Sequence, residues 1–490
     1  MQRIQLKKEP RLEAKQKAYA FQVEAFIAIR DLPYAAVFHE QGLGKSKIAI
    51  DLMHYWLEKR LVDTVLFVVK KGLVHNWENE FSLHGYIKPR ILTQDRRANY
   101  YVFNSPTRLL LAHYELLRSE LDRLALFLRT RTVAVVMDES TKIKNPDSSL
   151  TKAAFKLAPL FARRVIMTGT PVANRPYDLW AQIWFLDQGK SLGNDFLSFK
   201  RSSDLVNDLA DDPVRQERLE SFLDGMYTSI DKFAVRETKD TAGITLPDKI
   251  IERVECDWET SQYELYRRIR SEMRAVVLRE GIPTEDNAED LLKRMLRLVQ
   301  VASNPRLVDE GYRCEPGKLH RVRDLVSWVV SCGQKCIIWS AFTANVDWLA
   351  QELRQYGTCK IHGRLDIERR NRSVELFMHD PDTNVLLATP GAAKEGLTLT
   401  VANHTIFYDR SFSLDDYLQA QDRIHRISQK QKCYVHNLIM RESIDEWVEL
   451  LLESKRLAAQ LVQDDISLEY YKRHMSYEFG TVIREILGIK

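Results

Sequence analysis

Short runs of residues that are apolar throughout recur along this 490-residue chain and constrain its fold more than any other feature. The runs lie at residues 35–38, 65–69, 133–137, 164–167, 336–339, 385–388 and 405–408. Strands that helices cover on both faces have this character, whereas strands with one solvated face alternate apolar and polar residues. Segments with helical spacing, such as "KSKIAIDLMHYWLEKR", separate the runs. The pattern predicts an α/β fold with parallel sheets.

The apolar runs fall into two groups, and the stretch between the groups has helical patterns instead, as in "SQYELYRRIRSEMRAVVLRE" and "AEDLLKRMLRLVQ". Two α/β lobes with helical material between them are therefore expected. We predict an N-terminal lobe at residues 1–190, a mainly helical insertion at 191–310, a C-terminal lobe at 311–465 and a helical extension at 466–490.

The composition is that of an ordinary globular protein, with 45% hydrophobic and 29% charged residues and a net charge of +4. Near-neutrality limits any nucleic-acid surface to a local groove. The N-terminus has no apolar signal segment, and no apolar run approaches the ~20 residues that a membrane helix needs. The six cysteines are scattered, which argues against a four-ligand zinc site. We expect a cytoplasmic chain, nuclear if eukaryotic, without membrane contact.

The stretch "FHEQGLGKSKI" directly follows the first apolar run and precedes a helical pattern. Gly42 and Gly44 permit a backbone that bends closely around phosphate, and Lys45 and Ser46 supply an ammonium and a hydroxyl that can ligate Mg²⁺. His39 stands where the common phosphate-loop pattern has its first glycine. The alternative for this stretch alone is a glycine-containing turn with a solvated lysine.

The run "VAVVM" ends in the adjacent carboxylates Asp138 and Glu139. Such a pair at the end of a buried strand is costly unless it meets a cation. A metal-coordinating Asp138 followed by a water-polarising Glu139 is the arrangement expected of an ATPase. The alternative is a solvated pair in a loop, but the two motifs in this order favour ATP and Mg²⁺ as cofactors.

Several longer segments, taken together, resemble one family. These are "HEQGLGKSKIAI", "VLFVVKKGLVHNWENEF", "VVMDESTKIKNPDSS", "VIMTGTPVANRPYDLWAQIWFL", "LLATPGAAKEGLTLTVANHTIFYDRSFSLDDYLQAQDRIHRISQ" and "LIMRESIDEWVELLLESK". In this order they are similar to the motifs of Swi/Snf-type ATPases, a branch of the superfamily-two helicases. The resemblance extends from about Phe21 to Lys455, and "QAQDRIHRISQ" and "DESTKIKNP" are its most specific parts. That family often lacks the first glycine of the phosphate loop, so His39 does not count against nucleotide binding.

The resemblance implies two RecA-like P-loop lobes with ATP in the cleft between them, and it implies a role for each matching residue. In the nucleotide site it assigns adenine recognition to Gln22, phosphate binding to Gly42, Gly44, Lys45 and Ser46, metal binding to Ser46 and Asp138, and catalysis to Glu139, Arg423 and Arg426. Elsewhere it assigns coupling of ATP to DNA to Thr168, Gly169, Thr170 and Gln419, and DNA contacts to Lys70, Lys71, Lys142, Lys144 and Thr398.

The chain departs from the family pattern directly after the two carboxylates, where Ser140-Thr141 replaces the more usual Ala-His. Coupling through that histidine must be absent or handled by the Thr141 hydroxyl. The segment "AAKEG" also replaces a glycine-rich DNA-contact loop. Trp77 and Trp180 are expected to be core residues rather than platforms for base stacking.

These observations predict a monomeric, ATP-dependent translocase on double-stranded DNA, a DNA-stimulated ATPase whose protein partners the sequence does not identify. One alternative is a strand-separating DNA or RNA helicase, which would need a wedge element that we cannot identify in the sequence. The other is a nucleotide-gated DNA or protein clamp with little turnover, which the intact Glu139 and Arg426 disfavour.

Overall fold

A computed structural model of the protein describes residues 4–172, 175–203, 213–280, 288–392 and 399–474. The chain divides into two compact units: unit 1 is Met1–Thr245 with Ala458–Leu468, and unit 2 is Leu246–Leu457 with Glu469–Lys490. Among the described residues, each unit contains one sheet whose paired strands are all parallel. The predicted fold class of two parallel α/β lobes is therefore confirmed.

The strands of unit 1 are β1 (Tyr34–Val37), β2 (Thr64–Val69), β3 (Arg90–Ile91), β4 (Leu109–His113), β5 (Val133–Asp138), β6 (Arg163–Met167) and β7 (Ala234–Val235). Their order across the sheet is β3-β4-β2-β5-β6-β1-β7. Met167 is paired with both Val37 and Asp138, so β1, β5 and β6 end level with one another. The segments that follow these three strands therefore leave the sheet side by side.

Helices cover this sheet, as its buried strands require. They are α1 (Ala20–Ile29), α2 (Lys45–Glu58), α3 (Val74–His84), α4 (Arg96–Asn104), α5 (Glu115–Ser119), α6 (Leu121–Thr130), α7 (Ser149–Leu157), α8 (Trp180–Asp187), α9 (Phe196–Ser203) and α10 (Pro213–Ile230). Trp56 and Trp77 pack with Phe67 of β2 in a hydrophobic core that α2 and α3 share with the sheet. Burial of such aromatic side chains is worth roughly 1.5–3 kcal/mol each.

The strands of unit 2 are β8 (Lys249–Cys256), β9 (Cys336–Trp339), β10 (Thr358–Ile361), β11 (Val385–Ala388), β12 (His404–Phe407) and β13 (Cys433–Met440). Their order is β10-β11-β9-β12-β13-β8. The helices of this half of the chain are α11 (Thr260–Glu280), α12 (Ala288–Ser303), α13 (Gly317–Ser331), α14 (Thr343–Glu352), α15 (Ile367–His379), α16 (Leu414–Gln421), α17 (Ile444–Val462) and α18 (Leu468–His474).

The stretch predicted as a mainly helical insertion, residues 191–310, contains α9 to α12 and also contributes β7 to the sheet of unit 1 and β8 to that of unit 2. The chain thus completes the first sheet before it begins the second. Within the ranges that the structure describes, no helix combines the length and the apolar character needed to cross a membrane.

Candidate functional site

The predicted phosphate loop connects β1 to α2, and two glycines give it its shape. Gly42 and Gly44 have φ angles of 88° and 70°, the left-handed region that side chains disfavour. A Cβ atom on Gly44 would lie 2.3 Å from Nε2 of Gln22. That Nε2 donates a hydrogen bond to the Leu43 carbonyl at 3.1 Å. Gln22 therefore lies against the loop, where the sequence predicts a residue that contacts the base of the nucleotide.

Lys45 is the first residue of α2 and is buried within the loop rather than solvated. Its Nζ donates to the carbonyls of His39 at 2.9 Å and Glu40 at 3.2 Å. Ser46 follows at the N-terminal end of the helix, where backbone N–H groups favour anions. Burial, reinforced by Lys45, lowers the pKa of His39 to about 4, so the imidazole is neutral at physiological pH. His39 therefore adds no charge to the loop.

Asp138 is the last residue of β5 and is half-buried. Its Oδ2 accepts a hydrogen bond from Nε1 of Trp77 at 2.9 Å. Burial, together with the neighbouring Glu139, raises the pKa of Asp138 to about 6, while Lys45 and Lys70 act in the opposite direction. The ammonium of the phosphate loop thus lies close enough to stabilise this carboxylate.

Glu139 has φ and ψ angles of 55°, a left-handed conformation that is rare and strained for a residue with a side chain. Its carboxylate is 3.5 Å from Nζ of Lys70 and 3.5 Å from Nε2 of Gln41. Gln41 also packs against Gly169, where a Cβ atom would lie 2.9 Å from its side chain. The phosphate loop and the segments after β2, β5 and β6 therefore meet around Glu139.

The predicted coupling segment of unit 1 follows β6 directly. Thr168 is buried, and its hydroxyl accepts a hydrogen bond from the Thr170 amide at 3.2 Å. The Thr168 amide in turn donates to the Val37 carbonyl at 3.2 Å. Gly169 lies between the two threonines, against Gln41. This segment is therefore joined to the strand that leads into the phosphate loop.

The residues predicted to contact DNA differ in how available they are. Lys71 and Lys142 are exposed. Lys144 is half-buried, and its Nζ is 2.9 Å from the Asp178 carboxylate. Lys70 forms an ion pair with Glu139, and Thr398 lies outside the described residues. Lys71 and Lys142 are the members of this set whose charges face solvent.

The remaining predicted site residues belong to unit 2, in and after α16. Gln419 donates to Oδ1 of Asp415 at 2.7 Å. Arg423 is buried, whereas Arg426 is half-buried and donates from Nε to the Asp422 carbonyl at 2.9 Å. Of the two arginines, Arg426 has the larger part of its side chain accessible.

Two residues, Trp77 and Gln41, contact this site although neither was predicted to have a role in it. Trp77 and Trp180 are both buried, as expected of core residues, but the Trp77 indole also donates a hydrogen bond to the Asp138 carboxylate. Gln41 contacts Glu139, although nothing in the sequence distinguishes it from other polar loop residues. Both contacts depend on the alignment of strands that are distant in the sequence.

Comparison with known proteins gives the family. A model described as the SNF2-related domain matches residues 35–307, and one described as the helicase conserved C-terminal domain matches residues 317–428. The first match alone covers more than half of the chain. The chain belongs to the SNF2-related family. This membership confirms the predicted Swi/Snf-type relationship and the prediction of an enzyme that uses ATP, while stimulation by DNA stays a prediction.

Curated proteins similar to this SNF2-related chain come from bacteria and eukaryotes. An uncharacterized ATP-dependent helicase of Mycoplasma pneumoniae is 26% identical over 87% of this chain and 40% of its own length. The putative ATP-dependent helicase/translocase YwqA of Bacillus subtilis is 25% identical over 88% of this chain and 47% of its own length. The ISWI chromatin-remodeling complex ATPase ISW2 of Saccharomyces cerevisiae is 25% identical over 86% of this chain and 38% of its own length. The chain thus spans less than half of each of these relatives.

Among solved structures, the SNF2-related chain is similar to the Sulfolobus solfataricus SWI2/SNF2 ATPase core in complex with dsDNA. The identity is 22%, 98% of each chain is covered, and the TM-score is 0.42.

Proposed function

We propose that this chain hydrolyses ATP at the site in unit 1 and uses the reaction to move along double-stranded DNA. The observation that supports this most is the cluster formed by Lys45, Lys70, Asp138 and Glu139 at the carboxyl edge of one parallel sheet. Ligands of open α/β sheets bind at this edge. The ammonium of a phosphate loop next to two carboxylates is the charge pattern that an ATP–metal complex requires.

The donor set of the site fits Mg²⁺. Within the described ranges, no group of three or more His, Cys, Asp or Glu side chains is placed to hold a metal ion. Mg²⁺ does not need such a group, because it is commonly bound by one or two protein oxygens together with substrate phosphates and water. We assign these two ligands to the carboxylate of Asp138 and the hydroxyl of Ser46. A bound cation would also offset the cost of burying the Asp138 charge.

The other residues then have distinct tasks in hydrolysis. Gly42 and Gly44 let backbone N–H groups approach the phosphates, and Lys45 neutralises their charge. Glu139 accepts the proton of the attacking water, while Lys70 and Gln41 hold its carboxylate in place. When bound, Mg²⁺ supplies charge stabilisation at the phosphate oxygens. We assign to Arg426 and Arg423 of unit 2 the role of stabilising charge that develops at the γ-phosphate.

Duplex DNA is the substrate that we propose for the translocation step. Relatives include a probable ATP-dependent DNA helicase of Arabidopsis thaliana, CHR12, and the Bacillus subtilis helicase/translocase. Lys71 and Lys142 are exposed and suited to contacts with backbone phosphates, which carry charge but no base code. Stimulation of ATP hydrolysis should therefore be independent of DNA sequence.

ATP turnover of the purified chain should be measured with duplex DNA, single-stranded DNA and RNA. We expect the largest stimulation with duplex DNA, together with displacement of the third strand from a triplex. Efficient unwinding of a forked duplex without triplex displacement would favour the strand-separating helicase. ATP binding without turnover on any of these nucleic acids would favour the clamp.

The DNA contacts have a separate test in the salt dependence of binding. Each phosphate contact contributes about −0.9 to the slope of log affinity against log salt. The variant Lys71→Ala/Lys142→Ala should therefore have a slope shallower by about 2. The matched control is Lys88→Ala/Lys156→Ala, which removes the same charge from two other exposed lysines of unit 1. Equal slopes for the two double variants would contradict the assignment.

A further inference from the structure

Gln182 is a fully buried polar residue in the otherwise apolar sequence "WAQIWFL" of α8. Its Oε1 accepts a hydrogen bond from the Ser140 hydroxyl at 2.7 Å. Its Nε2 donates to the carbonyls of Pro171 and Asp178, both at 2.8 Å. Both protons and the oxygen of the amide are thus used inside the protein. A buried amide is tolerated only when it is satisfied in this way, and its plane then fixes where its partners lie.

The two ends of this arrangement belong to different parts of the nucleotide site. Ser140 directly follows Glu139, and Pro171 directly follows the segment Thr168–Thr170. One side chain therefore connects the residue after the proposed base to the residue after the coupling segment. The sequence suggested the Thr141 hydroxyl as a substitute for the family histidine, but the hydroxyl that makes this connection is that of Ser140.

We propose that Ser140 and Gln182 are positioning residues that transmit movement of the Thr168–Thr170 segment to Glu139. We call the connection from Ser140 through Gln182 to the Pro171 carbonyl the buried bridge. The inference rests on the proposed function, because it concerns how DNA binding and ATP hydrolysis are coupled. Both side chains of the buried bridge have no solvent exposure, so water cannot replace a bond when one end moves.

A second connection between the same parts of unit 1 indicates that the buried bridge does more than attach α8 to the segment after β5. Lys144 and Asp178 already join the segment after β5 to the turn that precedes α8 through an ion pair. That pair ends on Asp178 and does not include the carbonyl of Pro171. The bond from Gln182 to Pro171 therefore adds a connection to the coupling segment that simple attachment of α8 would not require.

Three variants test the buried bridge: Ser140→Ala, Gln182→Met and the double variant. Each single variant leaves buried polar groups without partners and should lower the melting temperature. The double variant removes both members of the Ser140–Gln182 bond, so its stability should lie closer to wild type than the sum of the single losses predicts. The measured quantities are kcat and KM for ATP with and without duplex DNA, and the melting temperature.

We expect all three variants to lose between about twofold and thirtyfold of the DNA stimulation of kcat, with KM for ATP within about twofold of wild type. The double variant should not regain stimulation when it regains stability. If stimulation recovers along with stability, the bridge is only structural and the proposal is wrong. A loss of ATP affinity with stimulation unchanged would overturn it as well.

Gln262 in unit 2 provides a matched control. It is also fully buried, donates to the Val301 carbonyl at 2.7 Å and accepts from the Gly317 amide at 2.9 Å. Gln262→Met should lower the melting temperature by a similar amount while wild-type stimulation is retained. Failure of the proposed function would appear differently, since wild type itself would then show no stimulation by duplex DNA.

Discussion

Unit 1 and unit 2 each place an aspartate at the carboxyl end of a central strand, the half-buried Asp138 and the buried Asp409, but the two carboxylates are held in different ways. Asp409, just beyond β12, accepts hydrogen bonds from the hydroxyls of Ser303 and Ser340, the amide of Asn345 and the Ala341 N–H. Among the described residues, the Asp138 carboxylate accepts one hydrogen bond in the structure, from Trp77. Burial raises the pKa of both groups.

The difference separates a structural carboxylate from one that is suited to a ligand. The oxygens of Asp409 are occupied by protein donors, which offsets the cost of burying its charge and leaves little capacity for a cation. The Asp138 carboxylate lies between Lys45, Lys70 and the strained Glu139, and it retains acceptor capacity. Buried carboxylates at equivalent strand ends can therefore be distinguished by counting their donors, although their sequence contexts look alike.

The largest effect should come from Lys45→Ala, which removes the ammonium of unit 1. We expect kcat for ATP to fall by about 10³-fold or more, because charge on the phosphates loses its fixed partner. Lys45 also bonds two loop carbonyls, so Lys45→Met, which keeps the length of the side chain, should accompany it. Circular dichroism must show an intact fold. Near-normal hydrolysis in a folded variant would place the nucleotide site elsewhere.

Glu139→Gln should lower kcat by about 10²- to 10³-fold, because an amide cannot accept the proton of the attacking water. Binding of a fluorescent ATP analogue should be retained, since the phosphates are held by other groups. The variant also exchanges the carboxylate contact with Lys70 for an amide. An affinity loss as large as that of Lys45→Ala would show that Glu139 serves in binding rather than in proton transfer.

Arg426→Ala tests whether unit 2 contributes to the reaction of unit 1. We expect kcat to fall by about 10- to 10²-fold with little change in ATP affinity, because this role concerns charge that develops in the transition state. Arginine fingers of GTPases contribute roughly 10³- to 10⁵-fold to kcat, and the low end of this range is the most that we expect here. Lys430→Ala, an exposed residue four positions along the chain, is the control. Equal activity of the two variants would leave unit 1 as the whole catalytic site.

The sequence predicted most of the largely apolar strands that lie inside a sheet, such as β2 and β5. It did not predict β13, in which His436 and Asn437 interrupt the apolar pattern, or β8, an edge strand whose residues are mostly exposed. The leucines of β4 are followed closely by those of α5, so neither a strand pattern nor a helical pattern can be recognised there in the sequence. Only β8 lacks the signal because its residues are exposed, whereas β13 is almost wholly buried and is hidden by its two polar residues.

Apart from Gln22 in α1, the predicted residues of the nucleotide site in unit 1 lie at or just after the ends of β1 and β5, which end level with one another. The contacts from Gln41, Trp77 and Gln182 could not be predicted, because they depend on the register between strands. Of these three residues, only Gln182 stands out in the sequence, as a polar residue in an apolar helix. Burial likewise distinguishes Lys144 from Lys142, two lysines that the sequence treats alike.

Matched substitutions can test the comparison of the two aspartates. Asp409→Asn should destabilise the protein by about 1–3 kcal/mol, because the amide places a donor against groups that already donate. Asp138→Asn can still accept the Trp77 bond and removes a buried charge, so stability without nucleotide should stay level or rise, while hydrolysis is lost. Urea unfolding of both variants gives the comparison. A loss of stability from Asp138→Asn as large as that from Asp409→Asn would remove the distinction between the two sites.

The last expected effect concerns the acid stability of unit 2. His404 and His436 share a hydrogen bond, Nδ1 to Nε2 at 3.0 Å, and burial lowers the pKa of each to about 4. The Glu252 carboxylate, 2.8 Å from Nδ1 of His436, would favour the charged form, but burial of the ring outweighs it. Two protonated rings could not share this bond, because each would carry only donors.

The unfolded chain binds protons near pH 6.5, whereas the native imidazoles do not until about pH 4, so stability falls as the pH drops through this window. We expect a loss of about 2–4 kcal/mol from the pair between pH 7 and pH 5. Amide hydrogen exchange in β12 and β13 should accelerate over the same range. The double variant His404→Phe/His436→Phe lacks both groups, and its stability should depend less on pH in this window. Parallel pH profiles for this variant and wild type would show that acid sensitivity comes from elsewhere, with His39 of the phosphate loop the next group to test because burial lowers its pKa to about 4 as well.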